Sequence, residues 1–195
     1  IGIFRTKEEF MKKILVTGGT TFVSKYAAEY FVNMGYEVYV LNRNTKSQVR
    51  GVKLIEGDRH NLNGILKNLS FDVVADITAY NEKDIIDFVK ELGSYGQYIM
   101  ISSSAVYPEY GVQPFLEESE KAANIFWGTY GTDKIAAEKA LLERVKDAYI
   151  LRPPYLYGPM NNVYREAFVF DCALADRKFY LPKAVSYTHL RAHET

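Results

Sequence analysis

The chain has 195 residues, of which 48% are hydrophobic and 25% are charged, which suffices for one soluble domain with a substantial core. Its 24 Lys and Arg residues balance 24 Asp and Glu residues, which removes the electrostatic basis for general binding to nucleic acid or anionic membranes. A single cysteine, Cys172, excludes an intrachain disulfide and a thiolate zinc cluster. Because no apolar run approaches the roughly 18 residues of a membrane span and no signal-peptide core is visible, we expect a cytoplasmic protein.

Both ends of the chain differ from its middle. Residues 1–10 precede Met11, which is a natural start, so they are either a native extension or translated upstream sequence. Residues 185–195 show no helix or strand period, and their back-translation resembles a transposon-end adapter used for sequencing libraries. We interpret them as a non-native tail, the alternative being a disordered tail that contains histidine. We therefore expect no metal site at His189 and His193, since neither a helical pattern nor an acidic partner supports one.

Predicted strands and helices alternate along the middle of the chain. In chain order the elements are strand 13–17, helix 22–34, strand 36–43, strand 52–58, helix 61–69, strand 71–78, helix 81–92, strand 97–104, helix 129–145, strand 148–154 and helix 163–175. This alternation with short connections predicts an α/β fold, a doubly wound parallel sheet of Rossmann-like type. Ligands of such sheets bind beyond the carboxyl ends of the strands, so functional residues are expected there.

The glycine turn after the first strand is typical of a phosphate-binding turn, but Thr21 and Ser24 stand where glycine is usual. The phosphate is held mainly by backbone N–H groups at the helix N-terminus, which do not require glycine if the backbone keeps negative φ. We therefore predict a working cofactor turn, the alternative being an empty strand–turn–helix connection. The predicted contacts in this turn are Gly18, Thr20, Thr21, Phe22 and Val23.

Short motifs in a fixed order carry a resemblance to a known family. They read VTGGTTFVS, GD, SSSAVY, YGTDK and LRPPYLYGP. Together they resemble the extended short-chain dehydrogenase/reductases, and more narrowly the NAD-dependent epimerase/dehydratase group, over residues 11 to about 182. The resemblance implies an NAD(P)-binding domain at residues 11–184 from which the smaller substrate lobe is largely missing. It also implies NAD or NADP as cofactor, a nucleotide sugar or similar hydroxyl compound as substrate, and a homodimeric full-length form.

The resemblance places cofactor contacts after the second, third and fourth strands. Asn42 and Arg43 stand where an NAD enzyme usually has an acid on the adenosine ribose. A guanidinium suits a 2′-phosphate, which favours NADP, unless Arg43 is only a solvated loop residue. Asp58 matches the acid that accepts from the adenine amino group, or alternatively it caps a helix. Three residues ending the fourth strand are expected along the cofactor ribose: Ile77, Thr78 and Ala79.

A catalytic pair is predicted on the helix at 129–145. Tyr130 and Lys134 are four residues apart, which puts them on one helix face. A phenol with a pKa of about 10 is a poor base, but a nearby ammonium lowers that pKa. Tyr130 would exchange a proton with a substrate hydroxyl during hydride transfer, and Lys134 would also hold the cofactor ribose. The resemblance assigns Ser103 to the hydroxyl that polarises the substrate oxygen, with Ser104 as a competitor.

Further contacts are implied beside the nicotinamide ring. The remaining predicted cofactor residues are Ser102, Pro153 and Tyr155. Phe126 and Trp127 precede the catalytic helix, where they either wall the substrate pocket or form a hydrophobic cap on the helix start.

Two functions follow from this pattern. The first is an NAD(P)-dependent epimerase/dehydratase-type oxidoreductase with a Ser-Tyr-Lys set, and no nucleic-acid or membrane partner. Because the substrate lobe is largely missing, we expect residues 11–184 to bind dinucleotide but to turn over substrate poorly. The second is a non-catalytic dinucleotide- or RNA-binding protein, since the strand end at 42–44 and the substituted turn resemble a branch that includes chloroplast stem-loop RNA-binding proteins. Neutral charge and the intact Ser-Tyr-Lys set disfavour that second function.

Overall fold

The computed structural model describes residues 11–180. The expected upstream extension at 1–10 and the expected non-native tail at 185–195, with its two histidines, lie outside the described residues. Among residues 11–180, no helix has the length and apolar character needed to cross a membrane.

Six parallel strands form one sheet in the order β3-β2-β1-β4-β5-β6. They are β1 (Lys13–Thr17), β2 (Glu37–Asn42), β3 (Lys53–Glu56), β4 (Ser70–Asp76), β5 (Ser94–Ile101) and β6 (Tyr149–Leu151). The strand order reverses between β1 and β4, which is the switch point where a doubly wound sheet opens a crevice. The predicted α/β fold class is confirmed.

Three helices cover the two faces of the sheet: α1 (Phe22–Asn33) on one face, and α2 (Glu82–Val89) and α3 (Thr129–Arg144) on the other. A fourth helix, α4 (Glu166–Leu174), follows β6 in the chain. Side chains of β1 alternate between two hydrophobic clusters. Ile14 and Val16 pack with Ala28 of α1, whereas Leu15 packs with the α2 and α3 side chains. A strand that is buried on both faces reads as a continuous apolar run, which is why β1 was readable in the sequence.

The predicted helix at 61–69 is wrong. This segment forms a series of turns, although Leu62 and Leu66 are buried in the core as an amphipathic pattern requires. Asn63 and Gly64 have φ values of +50° and +82°, which lie in the left-handed region that a right-handed helix does not admit. The apolar spacing predicted burial correctly, but the backbone of these two residues breaks the helix.

The described chain divides into two compact units, the first ending at Met160 and the second beginning at Asn161. The sheet and the helices α1 to α3 belong to the first unit. The second unit contains α4, in which Cys172 is buried and Phe168 packs edge-on against Tyr164.

One close approach sets the position of α3. A Cβ atom on Gly131 would lie 2.3 Å from the carbonyl oxygen of Ala105, in the 3₁₀ turn that follows β5. A real side chain cannot be placed there without moving the backbone. Glycine at this position therefore lets the first turn of α3 rest directly on the 3₁₀ turn that follows β5.

A buried ion pair joins the strand ends at the switch point. Asp76, at the carboxyl end of β4, is fully buried and accepts two hydrogen bonds of 3.0 Å from the guanidinium of Arg59. Its carboxylate also accepts from the hydroxyls of Tyr98 at 2.7 Å and Thr17 at 2.8 Å. Burial alone would raise the pKa of Asp76, but Arg59 and these hydrogen bonds hold it below its usual value.

The pair also orders the backbone that follows β4. The Thr17 hydroxyl donates to Asp76 and accepts from the backbone N–H groups of Ile77 and Thr78, at 2.9 Å and 3.1 Å. Arg59 donates further to the hydroxyl of Thr78 at 2.9 Å. The loop after β3, the ends of β1 and β4, and the middle of β5 are thereby held together at one point.

Replacing Arg59 by leucine should destabilise the protein strongly. The change would leave the Asp76 carboxylate buried without its cation, and breaking a buried ion pair in this way costs about 3–5 kcal/mol. Urea unfolding at pH 7 measures the loss. The loss should shrink in acid, because an uncompensated Asp76 can take up a proton.

The matched control is Lys53→Leu, which removes the cation from an ion pair with Glu37 in which the lysine is largely exposed. Little change is expected there, because exposed pairs are screened by water and salt. Equal destabilisation by the two variants would contradict the importance that we assign to the Arg59–Asp76 pair.

Candidate functional site

A cavity of about 420 Å³ opens at the carboxyl edge of the sheet, beside the switch point. Its size lies within the range of small-molecule and cofactor sites. Residues from the glycine turn, the end of β2, the loop after β3 and the end of β4 form its walls. The predicted cofactor residues that line it are Gly18, Thr20, Thr21, Asn42, Arg43, Asp58 and Thr78.

The glycine turn has a conformation that depends on both of its glycines. Gly18 and Gly19 have φ values of +91° and +87°, and a Cβ atom on Gly19 would lie 2.6 Å from the side chain of Val40. Ser24 replaces a glycine at little cost, because its buried hydroxyl donates to the carbonyl of Thr21 at 2.9 Å.

The start of α1 differs in part from the expected backbone. Thr21 keeps a negative φ of −141°, but Phe22 has a φ of +40°, against the expectation that the substituted turn stays at negative φ. No side chain caps this helix start within the part of the chain that the structure describes, so the N–H groups of the first turn remain available to an anion. The ammonium of Lys46 donates to the Thr21 hydroxyl at 3.0 Å and adds positive charge at the same point.

Asn42 links the end of β2 to the glycine turn. Its amide nitrogen donates to the carbonyl of Gly18 at 2.7 Å and to Gln48 at 3.0 Å, and its oxygen accepts from the backbone of Asn44. The side chain is therefore engaged in holding the turn. Arg43, the next residue, is exposed on the cavity wall.

The segments after β3 and β4 contribute unequally to the cavity. Asp58 lies on the wall and accepts from the backbone N–H of His60 at 3.0 Å. The alternative that Asp58 caps a helix is wrong, because residues 59–69 form turns and not a helix. Thr78 also lines the cavity, whereas Ile77 packs against the core and Ala79 is fully buried.

Tyr130 and Lys134 lie together on α3, as their spacing predicts. The Lys134 ammonium is 5.9 Å from the centre of the Tyr130 ring and donates to the carbonyls of Ala79 at 2.6 Å and Ile101 at 3.0 Å. Lys134 therefore bridges the ends of β4 and β5 from the helix. Tyr130 is 36% exposed, so its phenol is open to a substrate.

The charge of Lys134 depends on its surroundings. Burial lowers the pKa of Lys134 to about 8, while the carboxylates of Asp76 and Asp84 act in the opposite direction. Lys134 is 2% exposed, so at neutral pH its ammonium is a buried positive charge next to a phenol.

The serines after β5 have different roles. Ser102 is buried and donates to the carboxylate of Glu138 at 2.6 Å, so its hydroxyl is engaged in the core. The Ser103 oxygen accepts from the backbone N–H of Ala105 at 3.2 Å, and its own proton remains available to donate. The backbone of Ser104 donates to the carbonyl of Pro153 at 3.0 Å. The Ser102 hydroxyl is thus engaged with Glu138, whereas Ser103 and Ser104 both remain candidates for the substrate-polarising hydroxyl.

An aromatic group borders the start of α3. The Trp127 ring lies 6.3 Å from the Tyr130 ring and 5.5 Å from the Tyr155 ring, measured between centroids. All three rings are partly exposed, and Phe126 beside them is 75% exposed. Trp127 thus stands next to the predicted base, where it can form a wall of a substrate pocket.

Four residues of the site were missed in the sequence. Three of them, Lys46, Arg59 and Tyr80, line the cavity. The fourth, Glu138, accepts hydrogen bonds from Ser102 and from the guanidinium of Arg152. Arg59 and Tyr80 directly follow predicted site residues, and Glu138 lies one helical turn beyond Lys134. Their position next to predicted site residues was the only sign of a role that the sequence offered. Their hydrogen-bond and packing partners lie in distant segments of the chain.

Curated relatives of the chain are similar over most of its length. The chloroplast stem-loop binding protein of 41 kDa b from Arabidopsis thaliana is 27% identical over 89% of this chain and 50% of its own length. The probable GDP-L-fucose synthase 1 from Oryza sativa subsp. japonica is 27% identical over 88% of this chain and 58% of its own length. The chain thus spans about half the length of these relatives.

Solved structures share the fold. The Bordetella bronchiseptica enzyme WbmG, solved with NAD, superposes with a TM-score of 0.72 at 18% identity, over 90% of this chain and 63% of that one. A UDP-glucose 4-epimerase superposes with a TM-score of 0.67 at 19% identity, over 86% of this chain and 62% of that one. The predicted resemblance is also confirmed at the level of sequence. The pattern that defines the NAD dependent epimerase/dehydratase family matches residues 14–174, and the chain therefore belongs to that family.

Proposed function

We propose that the chain is the dinucleotide-binding part of an NAD(P)-dependent oxidoreductase of epimerase/dehydratase type. The observation that carries the proposal is the pairing of a half-exposed phenol, Tyr130, with a buried ammonium, Lys134, at the carboxyl edge of the sheet. The substrate proposed is a nucleotide sugar or a similar hydroxyl compound. The names of the matched proteins, a GDP-L-fucose synthase and a UDP-glucose 4-epimerase, support this class of substrate.

The residues around the cavity fit a dinucleotide. The glycine turn leaves a space that a Cβ atom would fill. The helix start that follows it has free N–H groups, and the Lys46 ammonium lies nearby. When bound, the nicotinamide cofactor supplies the hydride chemistry. The proposed role of the turn and of Asp58 is to bind and orient the diphosphate and the adenine.

Proton transfer is assigned to the residues of α3 and of the loop after β5. Tyr130 would exchange a proton with the substrate hydroxyl, and the charge of Lys134 would stabilise its phenolate. Ser103 would donate a hydrogen bond to the same substrate oxygen. Lys134 is held by two backbone carbonyls, so its charge is positioned before any ligand arrives.

A preference for NADP over NAD is proposed from the end of β2. Two cations, Arg43 and Lys46, line the cavity at this end, where an acid on the ribose would favour NAD. Two positive charges suit the extra phosphate of NADP.

A second candidate function is RNA binding without catalysis. It is favoured by the similarity to the chloroplast stem-loop binding protein, which covers 89% of this chain. The formal net charge of zero weighs against it, because RNA binding relies on phosphate neutralisation. Two results together would favour this second function. The chain would bind a stem-loop RNA in a salt-dependent manner that NADPH does not reverse, and it would not bind NADPH itself.

Replacing Arg43 by alanine should weaken NADPH binding about 10-fold or more and leave NADH binding nearly unchanged, because only NADPH presents a phosphate to the guanidinium. Binding is measured by energy transfer from Trp127, the only tryptophan, to the reduced nicotinamide. Arg50→Ala, at another exposed arginine, is the matched control. Equal weakening of both cofactors would show that Arg43 does not select NADP.

Replacing Tyr130 by phenylalanine in the complete gene product should lower kcat about 10²- to 10⁴-fold without changing the Kd for dinucleotide, because only the proton-transferring hydroxyl is lost. Steady-state assays with candidate nucleotide sugars measure the effect. A Tyr130→Phe variant that turns over substrate like the parent would rule out Tyr130 as the base.

The Lys134 ε-carbon resonance should titrate near pH 8 in ¹³C NMR, because burial favours the neutral amine. Below that pH the group carries its charge, and above it the charge that supports the phenolate is lost. Lys134→Met identifies the resonance by its disappearance. A midpoint near the unperturbed value of 10.5 would contradict the buried, desolvated position.

A further inference from the structure

A second phenol stands beside the proposed catalytic lysine. The Tyr80 ring centre lies 5.0 Å from the Lys134 ammonium, closer than the 5.9 Å of Tyr130. Tyr80 also lines the cavity at the switch point. It follows Ala79, whose carbonyl accepts from Lys134. Tyr80 therefore joins the dinucleotide cavity to the proposed proton-transfer residues.

The backbone of Tyr80 is firmly held. Its N–H donates to the carboxylate of Asp84 at 2.6 Å, and the same carboxylate accepts from the N–H of Asn81. The Asn81 side chain accepts in turn from the N–H of Asp84, which completes a capping box at the start of α2. These bonds fix the point at which the Tyr80 side chain leaves the backbone.

The side chain, in contrast, is open. Tyr80 is 54% exposed, and within residues 11–180 its hydroxyl has no hydrogen-bond partner. Burial of part of the ring and the nearby Tyr130 raise the pKa of the Tyr80 phenol, so it stays protonated at neutral pH and can donate. A large aromatic side chain on a cavity wall, with an unused donor, is suited to contact a ligand.

We propose that Tyr80 is a cofactor-contacting residue, whose hydroxyl donates a hydrogen bond to an oxygen of the bound dinucleotide and whose ring closes the cavity beside Lys134. This inference rests on the proposed function, since it names a further residue of the same site. The two phenols beside Lys134 then have different roles. Tyr80 keeps its proton and donates a hydrogen bond, whereas Tyr130 is the base that exchanges a proton with the substrate.

A purely structural role would be different. If Tyr80 served only to cover the Lys134 ammonium with its ring, the hydroxyl would contribute nothing and phenylalanine would replace it fully. The Tyr80→Phe variant keeps the ring and removes the donor, so it separates the two roles. Tyr80→Ala removes both.

The test is titration of NADH and NADPH into the 195-residue chain, followed by energy transfer from Trp127. Tyr80→Phe should raise both dissociation constants about 3- to 10-fold, the range of one net hydrogen bond, and Tyr80→Ala should raise them about tenfold or more. Tyr149→Phe, at a tyrosine that is 60% exposed on the edge strand β6, should leave both constants unchanged. Urea unfolding verifies that each variant is folded. If Tyr80→Ala is unfolded, the dissociation constants of Tyr80→Phe alone decide the role of Tyr80.

The outcomes separate the two proposals. If the parent chain binds dinucleotide and Tyr80→Phe binds it equally well, the role of Tyr80 is overturned and the proposed function stands. If the parent chain binds neither NADH nor NADPH, the proposed function fails, and the role of Tyr80 fails with it.

Discussion

The buried pair of Arg59 and Asp76 is the interaction on which the site depends. An isolated carboxylate at the end of the central strand would be costly, and the paired hydrogen bonds from the guanidinium make it tolerable. Because the same carboxylate holds the Thr17 hydroxyl, it also orders the backbone of residues 77 and 78. The next carbonyl, that of Ala79, binds Lys134. Hydrogen bonds and the backbone of residues 77–79 thus connect Thr17, on the cavity wall, to the proposed catalytic lysine.

This connection explains why the charge of Lys134 is a property of the whole switch point. Burial among strand ends disfavours the ammonium, whereas the Asp76 and Asp84 carboxylates favour it, and Arg59 opposes them. The balance leaves a lysine that ionises near neutral pH. A lysine whose pKa is lowered in this way is common at sites of proton transfer.

Much of the fold and part of the site could be predicted because they depend on local spacing. Buried parallel strands read as apolar runs, and Tyr130 and Lys134 share a helix face because they are four residues apart. The prediction of a helix at 61–69 was wrong because Asn63 and Gly64 adopt left-handed backbone conformations, which break a helix despite the helical spacing of apolar residues. Asparagine also occurs within helices, so its sequence position does not reveal that Asn63 has a positive φ. The roles of Ser102 and Asn42 were also hidden, since their partners lie in distant segments.

The sequence by itself determined the order of the strands and helices, the glycine turn and the spacing of the tyrosine and lysine, because each depends on neighbours along the chain. Only the tertiary structure decided which polar groups face the cavity and which form hydrogen bonds inside the core. Arg59, Tyr80 and Glu138 acquire their surroundings when strand ends far apart in the sequence meet at one edge of the sheet. The burial of these side chains and the charges around them depend on that convergence, which the spacing of residues along the chain does not reveal.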